Sequence, residues 1–133
     1  MQEEKVSTSS HFITLTYDNE NVPRSPKGFL TLDKMALTKF WKRLRKCETG
    51  NRSIKYYACA EYGGITSRPH YHAIVFNVRN TDSFVKAWPF GRVDIGNVSG
   101  NSAGYVASYI NKGGAVPAHK NDDRVPEFSR MSM

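Results

Sequence analysis

The sequence predicts an α+β domain with one central, largely antiparallel sheet flanked by helices. Three observations lead there. Two apolar segments, 54–62 and 70–78, are rich in β-branched and aromatic residues and are joined only by Gly63-Gly-Ile-Thr-Ser-Arg-Pro69, the pattern of a hairpin with an ordered loop. Both segments carry apolar residues on both faces, which suits strands lying centrally in a covered sheet. Between them and an earlier strand, the periodicity changes from two to that of a helix.

Taken in order, His11-Phe-Ile-Thr-Leu-Thr-Tyr-Asp18 reads as the first strand, followed by a long loop of Asn, Pro, Ser and Gly out to Gly28. From Thr31 the spacing predicts a helix, with Leu37, Phe40, Trp41, Leu44 and Cys47 on one stripe and Lys34, Lys39, Lys42, Arg43, Arg45 and Lys46 around it. Thr31 is the expected cap and Gly50 the expected stop. After the hairpin, Thr81–Trp88 reads as a short helix that Pro89 ends, Gly91–Val98 as a short strand, and 101–112 as a last helix with Gly113-Gly114 as its exit.

A chain of 133 residues is the length of one domain with one core, so residues 1–133 are expected to form a single, monomeric domain. The end at Met133 shows no cap or tail, so a domain excised from a longer chain is one reading. Nineteen Lys and Arg against 12 Asp and Glu leave a net charge of +7, which favours an anionic partner such as nucleic acid. Cys47 and Cys59 are in no C-x-x-C spacing and read as reduced core residues. No apolar run is long enough for a membrane span, and Met1–Ser10 has no hydrophobic segment of a secretory signal. A soluble, intracellular protein is expected.

His70 and His72, two apart on a strand, share a face and can present two imidazoles to one point. The spacing suits a structural histidine pair or two metal ligands. Glu61 adds a carboxylate: if the hairpin strands pair across the turn, Glu61 lies opposite His70 or His72 on the same face in either register. Such a mixed nitrogen and oxygen set suits Mg²⁺, Mn²⁺ or another divalent ion with open positions better than a closed zinc site. The other role open to Glu61 is a cross-strand partner for Arg68 or a lysine.

Tyr105, Tyr109 and Lys112 stand at i, i+4 and i+7, along one helical stripe. Ala103, Val106 and Ile110 mark a neighbouring stripe for the core, so the phenols are free to face a groove. Packed tyrosines on an amphipathic helix are one reading. The other is nucleophilic: a phenol is weak at its free pKa of about 10, but a metal that polarises a phosphodiester makes its attack feasible. Attack by tyrosine conserves the energy of the broken linkage for a later rejoining.

In this order the residues resemble the HUH endonuclease superfamily, and within it the replication initiators of small single-stranded DNA phages of the gokushovirus type, a group of microviruses. His11–Tyr17 resembles the first motif, Glu61-Tyr-Gly with Arg68-Pro-His-Tyr-His72 the metal motif, Tyr105–Lys112 the double-tyrosine motif, and Trp88-Pro-Phe-Gly91 a segment between them. The resemblance implies an RRM-like sheet, a divalent metal on His70, His72 and Glu61, nucleophiles Tyr105 and Tyr109, and assistance from Lys112. It further implies rolling-circle initiation: nicking of single-stranded DNA at an origin, a 5′-phosphotyrosine intermediate, and work with the host replication machinery in the host cytoplasm. A relaxase, a plasmid initiator, a transposase or a non-catalytic RRM-like binding module are the alternatives.

DNA contacts are expected from Arg68 beside the metal and from Lys42 and Arg45 on the first helix, with Lys39, Arg43, Lys46, Lys55 and Arg79 as further cations. Tyr62, Tyr71 and Trp88 are candidate platforms for bases. The first strand, with Thr14, Thr16 and Asp18 alternating against Ile13, Leu15 and Tyr17, is assigned support of the site. His11 reads as a solvent-exposed residue at its start.

Overall fold

The computed structural model describes residues 9–63, 67–105 and 122–132. Five strands, β1 (Ser10–Leu15), β2 (Lys55–Tyr62), β3 (Pro69–Phe76), β4 (Val93–Gly96) and β5 (Phe128–Met131), accompany helices α1 (Lys34–Cys47) and α2 (Asp82–Ala87). Residues 100–105 are also helical. The strands form one sheet in the order β4-β1-β3-β2-β5, and every neighbouring pair is antiparallel. This is the α+β architecture expected from the sequence, with β3 at its centre. Among the described residues no helix is long and apolar enough to cross a membrane.

The pleat divides the sheet into two unlike faces. On one, Ile13, Leu15, Ala58, Ala60, Tyr71, Ala73 and Val75 meet Leu37, Phe40, Trp41 and Leu44 of α1, Phe84 and Ala87 of α2, and Trp88. Three alanines on the two central strands leave room for the bulky Tyr71, Phe40 and Trp88, all essentially inaccessible, so large and small residues interdigitate at interior density. The opposite face carries Thr14, Glu61, His70 and His72.

Helix α1 starts later than the Thr31 cap expected. Asp33 is the N-cap, its carboxylate accepting from the Met35 backbone N–H at 2.9 Å. Leu32 and Leu37 then occupy the flanking positions of a hydrophobic staple and both are buried, while the Thr31 hydroxyl accepts from the Val125 N–H at 2.9 Å. The helix ends in a paired closure, Thr49 N–H to Lys46 O and Gly50 N–H to Arg45 O, with both Thr49 and Gly50 at positive φ. Gly50 thus serves the stop expected of it. Of the predicted apolar stripe, Cys47 is exposed and Cys59 alone of the two thiols is buried, because Cys47 lies in the last turn, beyond the edge of the core.

Strand β5 has no counterpart in the sequence reading. Four residues are too few to show a period, and its partner is decided by the free outer edge of β2, through Tyr57↔Met131, Ala58↔Arg130, Cys59↔Ser129 and Ala60↔Phe128. At the other edge β1 continues past Leu15, with Thr16 and Asp18 N–H donating to Arg92 and Phe90 carbonyls at 3.0 and 2.9 Å. Gly91 sits between these two bonds. A Cβ there would lie 2.2 Å from Thr16 O and 2.7 Å from Asp18 N, which are backbone atoms held in the sheet. Trp88 donates from Nε1 to the same Thr16 carbonyl at 2.7 Å, so Trp88-Pro-Phe-Gly91 is the clasp that seals the core against β1.

Glu48, buried at the end of α1, ties that helix to α2. Its carboxylate accepts from Arg79 N–H at 2.7 Å, Asn80 N–H at 3.1 Å, Ser83 Oγ at 2.8 Å and Asn51 Nδ2 at 3.3 Å. Burial alone would raise its pKa, but these donors prevail and hold it below the ordinary carboxylate value.

Two stability measurements test this packing. Gly91→Ala is expected to cost about 3 kcal/mol or more, or to prevent folding, because sheet backbone cannot yield; urea unfolding of the purified variant measures it. Glu48→Gln is expected to cost about 2 kcal/mol at pH 7 through lost charge-assisted hydrogen bonds. A carboxyl whose folded pKa is depressed stabilises above its ordinary value of about 4.3 and loses that contribution as pH falls through the lower folded value. The gap between wild type and variant should therefore persist down to about pH 5 and close below pH 4 in thermal melts.

Candidate metal centre

Pairing of β2 with β3 sets Glu61 directly opposite His70 and Cys59 opposite His72. Side chains opposite one another share a face, and residues two apart on a strand do as well, so Glu61, His70 and His72 converge at the Glu61 end of the hairpin. His70 Nε2 lies 3.1 Å and His72 Nε2 3.5 Å from the same oxygen, Glu61 Oε1. One ligand atom from each residue falls within 4.8 Å of the others, and among the described residues this is the group of His, Cys, Asp and Glu so placed.

The far nitrogens fix the rings. His70 Nδ1 is 3.0 Å from the Arg68 carbonyl, an oxygen that can only accept, so Nδ1 carries the proton and donates. In a neutral ring Nε2 is then a lone pair aimed at a carboxylate oxygen, an arrangement that a cation between them, or a second proton, resolves. His72 Nδ1 is 3.0 Å from Thr14 Oγ1 across the β1–β3 pair, which leaves its Nε2 facing Glu61. Burial, and next the neighbouring His70, hold the His72 pKa below its ordinary value against the pull of Glu61, so the ring favours the neutral form that a ligand needs. Phe12 stacks on the ring at 5.6 Å.

The donor set fits a divalent ion. Neighbouring ligands in a shell of about 2.1 Å radius stand roughly 3.0–3.4 Å apart, and the two Nε2-to-Oε1 distances are of that size. Imidazole rings oriented by a carbonyl or hydroxyl at the remote nitrogen are the usual support of metal ligands. Cys59 lies beneath on the same face, but burial, and then the nearby Glu61 charge, push its thiol up to about 12, which keeps it protonated and outside the set.

Tyr105 completes the cluster from helical residues 100–105. Its hydroxyl donates a short hydrogen bond to Glu61 Oε1, the oxygen both histidines face, and its ring meets His72 edge-on at 5.6 Å. Burial and the Glu61 bond and charge push the phenol well above its ordinary pKa, so without a cation it is held as a proton donor. Tyr109 and Lys112 lie outside the described residues.

A family model for replication-associated proteins of the ORF2 type matches residues 10–114, a span containing all of this site. The chain belongs to that family. Relatives include the replication-associated protein ORF2 of Spiroplasma virus 4, 34% identical over 91% of this chain and 44% of its own. Replication-associated protein VP4 of Bdellovibrio phage phiMH2K is 31% identical over 84% of this chain and 40% of its own, and replication-associated protein ORF4 of Chlamydia phage 1 is 30% identical over 75% and 30%. The chain spans less than half the length of these curated relatives. No solved structure matches it.

The remaining expected residues are scattered. Arg68 is at the site's rim, but its guanidinium donates to Tyr17 O at 2.9 Å and Asn19 Oδ1 at 3.0 Å, pinning the loop after β1 and, through its own carbonyl, His70. Lys42 and Arg45 are on α1, across the sheet from the triad. Tyr71 and Trp88 are not base platforms: they are 0% and 1% exposed, because the core takes up the largest aromatic surfaces. Tyr71, with its phenol raised to about 12 by burial, instead shares a 2.7 Å hydroxyl bond with Tyr17. Arg43 donates to Ala87 O and Arg79 to Glu48 O, so both are structural. His11 is half-buried with its ring against Phe84, on the core face and not in solvent. Sequence reasoning gave Thr14 only a general supporting place. Its pairing with His72 depends on the β1–β3 register, for which no local signal exists.

Thr14→Val removes the hydroxyl while keeping shape. Mn²⁺ affinity measured by calorimetry is expected to fall 10- to 100-fold with little change in thermal stability; unchanged affinity would show that the hydroxyl does not orient His72.

Proposed function

We propose that this chain is the endonuclease domain of a rolling-circle replication initiator, which nicks and rejoins single-stranded DNA at a phage origin. The observation that carries the reading is the meeting of Tyr105, His70 and His72 at one carboxylate oxygen, Glu61 Oε1. A potential nucleophile and a metal-ligand set at one point serve phosphoryl transfer, and a non-catalytic binding module has no need of that pairing. Membership of the replication-associated protein family supports the same reading.

Glu61, His70 and His72 would hold the ion, Mg²⁺ or Mn²⁺ by the mixed nitrogen and oxygen donors. Bound there, a divalent ion polarises a phosphodiester oxygen and offsets negative charge. Thr14 and the Arg68 carbonyl hold the two imidazoles in register. Tyr105, with Tyr109 as second nucleophile, supplies the phenol oxygen that bonds to phosphorus as the bond to the 3′ oxygen breaks. The products are a 5′-phosphotyrosine and a free 3′ hydroxyl from which host polymerase extends. Lys112 neutralises the phosphate or assists departure of the phenol proton. A second transfer, from phosphotyrosine to a 3′ hydroxyl, rejoins the strand inside the host cell.

Incubation with Mn²⁺ and single-stranded oligonucleotides spanning the origin should give a covalent adduct, mapped to tyrosine by mass spectrometry. Tyr105→Phe combined with Tyr109→Phe should remove it, and His70→Ala with His72→Ala should reduce it below detection while most DNA affinity remains. Adduct persisting in the tyrosine double variant would exclude these nucleophiles; no adduct under any condition would favour a binding module.

A further inference from the structure

On the sheet face opposite the triad, Thr38, Trp41, Lys42 and Arg45 of α1 join Tyr56 of β2 and Arg130 of β5 around a pocket of about 150 Å³. That volume equals roughly five waters, enough for a hydrated phosphate. Its wall is aromatic, since Trp41 and Tyr56 stack at 3.7 Å with their planes 8° apart. Its rim is cationic. Arg45 and Arg130 stand close enough for their charges to act on the Tyr56 phenol.

Among the described residues no carboxylate pairs with Lys42, Arg45 or Arg130. Arg130 lies over the Phe128 ring at 5.0 Å, a contact that leaves its hydrogen-bond donors available. Trp41 Nε1 is buried and has no partner among the described residues. The helix behind the pocket holds six Lys and Arg and no Asp or Glu in its 14 residues. A face kept merely soluble needs no single sign of charge. Like charges at Lys39, Lys42, Arg43, Arg45 and Lys46 repel at i+3 and i+4, a cost that an anionic ligand offsets.

We infer that this pocket is a second DNA-backbone site, in which Lys42, Arg45 and Arg130 hold phosphates of a segment remote from the one at the metal. The sheet separates the two faces, so a short strand lying on the triad cannot also reach α1. The inference rests on the DNA-acting role proposed above, and DNA engaged at the metal face carries many further phosphates within reach of the reverse face. Arginine forks and a lysine around an aromatic wall suit a sugar-phosphate backbone.

The test compares wild type with the variant Lys42→Gln, Arg45→Gln, Arg130→Gln by fluorescence anisotropy with EDTA present, so that affinity is read without cleavage. Three DNAs are used: a single strand of about 8 nucleotides covering only the cut site, the same strand extended by about 30 nucleotides, and the extended form with its added segment made duplex. For the extended DNAs affinity should fall about tenfold, and the slope of log affinity on log salt should shrink by about 2, roughly 0.7 for each lost single-strand phosphate contact. The 8-nucleotide strand should bind the two proteins equally.

Loss with only one extended DNA assigns the site to single strand or to duplex. Equal affinities for all three DNAs, equal losses on all three, or no DNA binding by wild type would overturn the inference; an acidic protein partner is the occupant left by the first of these. Should the triple variant melt lower than wild type, the single Arg45→Gln carries the same comparison with a slope change of about 0.7. Adduct formation by wild type, assayed separately with Mn²⁺, reports on the nicking reading without bearing on this one.

Discussion

Everything at the candidate site depends on the register of one hairpin. With Glu61 opposite His70 and Cys59 opposite His72, a carboxylate and two imidazoles share a face; a slip of one residue would turn the histidines into the core and Tyr71 out of it. The register is held from both sides. Tyr71, Ala73 and Val75 fit only the core face, beneath α1 and Trp88. At the hairpin's end Gly63 N–H donates to Arg68 O at 2.9 Å, and the same carbonyl accepts from His70. The bond that closes the turn thus also orients a ligand.

This constraint explains why the two faces of the sheet differ so sharply. The core face takes the large aromatics, and burial drives the phenols of Tyr17 and Tyr71 upward in pKa, so they serve as hydrogen-bonding struts: Tyr71 accepts from Asp33 N–H and donates to Asp33 O, fastening the start of α1 to β3. The other face keeps small polar groups and half-buried imidazoles. A site assembled on strands, with each ring held at its remote nitrogen, is more rigid than one carried on loops, which suits the placing of a phosphate for in-line attack.

Charge follows the same division. The positive excess is concentrated on α1, behind the sheet, while the metal face presents Glu61 with two histidines. A protein that holds a reactive phosphate on one face and further phosphates on the other would wrap its DNA around a sheet edge. Strand β5 is the edge beside Arg130, and it also brings Glu127 to Tyr62, where the Glu127 carboxylate accepts the Tyr62 N–H at 3.0 Å.

By itself the sequence determined the fold class, the hairpin, the face shared by Glu61, His70 and His72, and the position of α1 to within three residues, because these follow from periodicity and parity, which are local. Tertiary structure decided the rest. The four-residue β5 exists because β2 has an open edge. Thr14 reaches His72 only through a pairing of strands 58 residues apart. Tyr71 and Trp88 lie in the core because alanines on neighbouring strands leave them room, and Lys42 and Arg45 lie across the sheet from the metal ligands because the stripe of Leu37, Phe40, Trp41 and Leu44 must face the other way. Each of these depends on which surfaces meet, and a linear pattern of residue types does not contain that.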